Sequence, residues 1–91
     1  MDVRILKEAV ERYNRYRSPE ATARLIEVRD EEIMVEFSGS FCKTCGIYDW
    51  VEDLAYELNE LYPEIVAEIA NWRQASEDRV IAEFRLKKNS E

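Results

Sequence analysis

Between Ile33 and Leu61 the apolar residues change period, and that switch constrains the fold more than any other feature of the chain. Ile33, Val35 and Phe37 alternate with polar neighbours, the period of a half-buried strand. Beyond Gly39, residues Ile47, Trp50, Val51, Leu54, Leu58 and Leu61 recur at spacings of three and four, the stripe of an amphipathic helix that stops before Pro63. A strand that hands over to a helix, each with one apolar face, has to bury both faces against the same core.

The flanking segments supply the rest of that core. Val3, Leu6, Val10 and Tyr13, with Ile5, Ala9 and Tyr16 alongside, predict a helix over 2–17. Ser18-Pro19 ends it, because the residue before a proline is pushed out of helical geometry. The segment 23–28 reads as a strand with Ile26 and Val28 on one face, and Arg29-Asp30-Glu31-Glu32 is short enough for a hairpin turn into Ile33–Phe37. Ile65, Ala67 and Ile69 fit a strand at 65–72, although Ile65, Ile69 and Trp72 also fit a helix. Val80, Ala82, Phe84 and Leu86 alternate with Glu83, Arg85 and Lys87, a strand at 79–87 with one solvated face, reached by a turn at 74–78. The expectation is a single two-layer α+β domain over 1–91: an N-terminal helix, an antiparallel hairpin, a helix led by Cys-x-x-Cys, then one or two further strands.

Charge narrows the function classes. The net charge is -7, and residues 18–64 carry 12 acidic against 3 basic side chains, which opposes nucleic-acid binding. No run approaches the roughly 20 apolar residues of a membrane span, and Met1-Asp2-Val3-Arg4 lacks a signal-peptide pattern, so the expected location is cytoplasmic. Histidine is absent, which removes Ser-His-Asp and Cys-His catalysis. Asp49, Glu52, Asp53, Glu57 and Glu60 lie opposite the apolar stripe of their helix, which holds no lysine or arginine, and read as a solvated face.

The chemically distinctive element is Cys42-Lys43-Thr44-Cys45, between a strand and a helix. Two sulfurs at this spacing chelate one metal ion or close a small disulfide ring, and the helix N-terminus favours the thiolate form that both chemistries use. Clusters and structural zinc take four thiolate or imidazole ligands, and this chain offers two thiolates and no imidazole. Two copies with facing pairs would supply four thiolates. Phe41, Tyr48 and Trp50 nearby read as core and rim packing.

The order helix, hairpin, Gly39-x-x-Cys42-x-x-Cys45, helix, Pro63-Glu64-Ile65 resembles the C-terminal scaffold domain of the NifU family over about residues 3–70. Leu25-Ile26-Glu27-Val28 and Ile33-Met34-Val35-Glu36-Phe37 match its hairpin. The resemblance implies an iron–sulfur cluster, with zinc or no cofactor as alternatives, held by Cys42 and Cys45 at the interface of a homodimer and passed to an apo-protein recipient. It implies no catalytic residue. Ile33 to Phe37, Phe41 and the cysteines also resemble, locally, a thioredoxin, which implies thiol–disulfide exchange; that match lacks the further strand and the proline loop facing the cysteines. An interaction module that keeps the fold without its chemistry is the third expectation.

Overall fold

The structure, a computed structural model, describes residues 2–43 and 46–88, and of Cys42 and Lys43 the backbone alone. Its elements are α1 (Val3–Arg17), β1 (Thr22–Val28), β2 (Glu32–Ser38), a 3₁₀ turn (Ser40–Lys43), α2 (Ile47–Leu61), β3 (Ile65–Ser76) and β4 (Arg79–Lys88). The strands form one antiparallel sheet in the order β1-β2-β4-β3. The architecture is α+β, with the expected helix, hairpin and helix, and with two strands where one or two were expected.

Helix α1 starts at Asp2, whose side chain accepts the backbone N–H of Arg4 at 2.9 Å and satisfies one of the orphan donors of the first turn. That bond holds the Asp2 carboxyl below its usual range. Arg15 and Arg17 occupy the last turn, where the helix dipole favours cations. Leu6, Ala9 and Tyr13 are buried, whereas Val3 and Tyr16, at the ends of the stripe, are exposed. Asn14 then ties helix to sheet: its side chain donates to the Ala23 carbonyl at 3.0 Å and accepts the Ala23 N–H at 2.7 Å, in the manner of a strand neighbour.

One face of the sheet holds the core. Ala23, Ile33, Val35, Phe37, Val80, Ala82, Phe84 and Leu86 meet Val51, Leu54 and Leu58 of α2 and the buried stripe of α1. Phe37 is central, with Tyr13 at 5.5 Å, Phe84 at 6.3 Å and Phe41 at 6.5 Å between ring centroids, spacings at which tilted and edge-on aromatic pairs attract. The Tyr13 hydroxyl donates to the Trp50 carbonyl at 2.7 Å, so this ring buries without losing its polar partner.

Two register details depart from simple alternation. In β1 the pairing slips between Leu25 and Glu27, so Ile26 falls at a bulge and is 41% exposed, while Val28 rejoins the core face opposite Ile33. The expected sharing of one face by Ile26 and Val28 is therefore replaced by Ala23, Leu25 and Val28. Gly39 closes β2 at φ 134°, and a Cβ there would strike the carbonyls of Glu20 and Pro19. This close approach lets the Glu20 carbonyl accept the Phe41 N–H at 3.1 Å. Among the described residues, no helix is long and apolar enough to cross a membrane.

Candidate functional site

The segment that carries the cysteines is anchored at both ends. On one side Phe41 is 2% exposed and packs against Phe37 and, at 5.9 Å, Trp50. On the other, Gly46 caps α2 at φ 98°, and its carbonyl accepts the N–H groups of Asp49 and Trp50. Asp49 places a carboxylate in the first turn of α2, the favourable end of its dipole. Cys42 belongs to the 3₁₀ turn and its side chain lies outside the described part; Cys45 lies outside the described residues altogether. Among the described residues, no group of three or more Cys, Asp or Glu side chains is arranged to hold a metal ion.

The acidic side of α2 is not the solvated face its composition predicts. Glu57 is 9% exposed and sits between two arginines of α1. Arg17 Nη1 donates to Glu57 Oε2 at 2.8 Å, and Arg17 Nε to Asp53 Oδ2 at 3.3 Å. Arg12 Nη2 donates to Glu60 Oε1 at 2.7 Å. Arg12 Nε lies 2.9 Å from Glu57 Oε1 at a poor angle, which makes that contact an ion pair without a hydrogen bond. Burial acts to lower the Arg17 pKa, but the hydrogen bond to Glu57 and the charges of Asp53 and Glu57 outweigh it and hold the guanidinium above its ordinary value. Its guanidinium also lies over the Tyr13 ring, 4.7 Å from the centroid. The cations absent from α2 come from α1, and the network fastens one helix to the other.

The other flank of α2 opens onto β3. Here Tyr48, Glu52 and Tyr56, four residues apart on α2, face Val66, Ala67, Glu68 and Ile69 across a groove of about 590 Å³. Tyr48 is 47% and Tyr56 61% exposed, and the lining carries two carboxylates and no cation. The groove follows an open sheet edge: β3 stands last in the strand order, and among the described residues no other segment pairs with its outer side. Trp72, opposite Ala82 and therefore on the helix side of the sheet, continues the apolar surface at 37% exposure. A second groove, of about 560 Å³ where β3 begins and β4 ends, is mainly charged, with Asp30, Glu31, Glu64, Lys87 and Lys88 among its lining. The apolar stripe of α2 conceals the first groove in the sequence, because Tyr48 and Tyr56 lie just outside it; aromatic residues at helical spacing beside a buried stripe are the signal that marks them.

No family model matches the sequence, and no curated protein matches it. Among solved structures, one from work probing the function of heme distortion in the H-NOX family aligns with a TM-score of 0.53 at 16% identity, covering 97% of this chain and 47% of that one. A crystal structure of an oxygen binding H-NOX domain related to soluble guanylate cyclases, in its oxygen complex, aligns with a TM-score of 0.49 at 18% identity, covering 98% and 50%. The fold likeness rests on the first, and the chain spans about half the length of either.

That likeness and the strand order overturn the resemblance to the NifU scaffold domain. That resemblance ended near residue 70, whereas the strand that organises the sheet is β4, Arg79–Lys88, inserted between β2 and β3. A shared order of helix, hairpin and Cys-x-x-Cys helix does not fix a fold whose central strand lies beyond it. The iron–sulfur cluster, the scaffold or carrier function and the NifU-like assignment fall with it, since the fold likeness is to a structure of the H-NOX family and the described residues show no group of three or more Cys, Asp or Glu that could hold a metal ion. The zinc alternative falls on Cys42 and Cys45, whose side chains lie outside the described part. The thioredoxin-like alternative fails as well: Pro63 comes directly after the α2 cap Tyr62 and leads into β3, on an entirely antiparallel sheet.

Proposed function

We propose that this chain is an assembly module that receives an extended polypeptide segment along the β3 edge, with the groove between α2 and β3 covering one face of the added strand. One observation carries it: a partly apolar groove rimmed by exposed aromatics runs beside a 12-residue strand whose outer edge is unpaired among the described residues. Such an edge offers a row of backbone donors and acceptors, and strand addition uses them for affinity while flanking pockets take alternate side chains. Tyrosine and tryptophan suit the task, being large, amphipathic and low in side-chain entropy cost.

Haem, the group that the first structural neighbour is described with, does not fit what is described of this chain. Haem iron takes histidine, cysteine, methionine or tyrosine as axial ligand; this sequence has no histidine, and the phenols of the groove, Tyr48 and Tyr56, stand on its open rim at 47% and 61% exposure. On its helix side the groove would meet the negatively charged propionates with Glu52 and no cation. The likeness is one of fold, and no step of the proposed function passes through haem.

Glu68, on the face of the sheet opposite the helices, and the apolar lining on the helix side set the chemistry of an incoming strand, which should alternate aliphatic residues towards α2 with cationic residues on the far face. An NMR titration with a short peptide of alternating valine and lysine tests this. The expected result is shifts at Tyr56, Ala67 and Ile69 with none at the opposite edge strand β1; shifts confined to β1, or none, would contradict it.

A further inference from the structure

We infer that the segment received at the β3 edge is the β3 of a second copy of this chain, laid antiparallel so that two four-stranded sheets become one; this rests on the reading of that edge as the docking surface. The strand is complementary to itself. A bulge between Ile69 and Asn71 puts Glu68 and Arg73 on the same face of the sheet, the face opposite the helices, where Glu68 neighbours Arg85 and Arg73 neighbours Ile81. In a regular strand two residues at that odd spacing would lie on opposite faces.

When Ala70 is set against Asn71 of the second copy, Glu68 falls opposite its Arg73, and Arg73 opposite its Glu68. On the helix side the same register sets Ile69 against Trp72 and Ala67 against Gln74. Sliding the strands by two residues in either direction removes both charge pairs, so the sequence singles out one register. The charges are available: Arg73 makes no ion pair among the described residues, and Glu68 uses only Oε1 towards Lys87 Nζ, at 3.4 Å. Two small or polar residues at the two-fold axis let the backbones approach. The added strand then lies under Tyr48 and Tyr56 of the first copy, and the exposed faces of Trp72 in both copies are covered.

The chain itself, under reducing conditions that keep Cys42 and Cys45 from linking molecules, is followed by sedimentation equilibrium from micromolar to millimolar concentration. A reversible monomer–dimer equilibrium is expected. Glu68→Arg alone and Arg73→Glu alone each set like charges against each other at two symmetric places and should weaken the dimer by about tenfold, whereas the double variant E68R/R73E should recover to within about threefold of the unaltered chain. Both positions are exposed, so circular dichroism should show the fold retained in all three variants. A chain that stays monomeric throughout, or a double variant as weak as the singles, overturns the inference. Monomer with continued binding of the valine–lysine peptide would leave the edge as a docking surface and remove the second copy as its occupant; dimerisation indifferent to the charge changes would refute this register.

Discussion

Glu57 is the residue on which the two helices meet, and its environment decides what its loss would do. Both carboxylate oxygens face arginines, Arg12 and Arg17, whose side chains are 34% and 19% exposed. Removing one member of a buried pair costs more than the pair contributes, because the remaining charges keep their desolvation cost without their partner. Arg12 is partly reached by water, which screens its share. Glu57→Ala should therefore destabilise the fold by about 2–3 kcal/mol, and Glu57→Gln, which keeps the shape and some hydrogen bonding, by about half as much. Urea unfolding measures both; a loss below about 0.5 kcal/mol for the alanine variant would show that the network is ornamental to stability. Little in the sequence warns of this. Glu57 and Glu60 look like solvated acids within their own helix, and the bonds that bury or pair them span 40 and 48 residues.

At the scale of elements, local period made some features legible, and long-range pairing hid the others. Ile33, Val35 and Phe37 alternate without interruption and are all buried, and the α2 stripe buries Val51, Leu54 and Leu58 as its spacing requires. In β1 one extra residue at Ile26 reverses the face of Glu27 and Val28, and an extra residue has no signature in a short apolar run. The place of β4 in the middle of the sheet is equally silent, since sequence order puts it last. Cys42 and Cys45 were legible as a motif, but their chemistry depends on neighbours that the motif does not specify.

A bond between elements sets a pH dependence. The Tyr62 hydroxyl, at the C-cap of α2, donates to Glu8 Oε1 of α1 at 2.7 Å. That bond, together with nearby carboxylates, holds the Tyr62 pKa above its ordinary value of 10.0. The folded state thus binds this proton more tightly than the unfolded chain, so the contribution to stability is complete below the unfolded pKa and declines as pH rises through the folded one. Tyr62→Phe should lower the urea midpoint at pH about 8, and the gap to the unaltered chain should close above pH about 10. A gap that stays constant to pH about 11 would mean that the phenol proton contributes nothing.

For the whole molecule, the sheet and its two helices make a core that accounts for one face of the sheet and leaves the β3 edge uncommitted among the described residues. The likeness to an H-NOX structure extends over nearly all of this chain and less than half of that one, so the same core is compatible with a larger surround. An open, partly apolar edge on a small core is a liability unless something covers it. The central claim is that a polypeptide strand does so, and the most direct measurement is amide hydrogen exchange across Val66–Ala75 at low and high protein concentration. The account predicts that protection of these amides rises with concentration while that of the opposite edge, Thr22–Val28, does not change. Protection of β3 independent of concentration, or a rise confined to β1, would contradict it.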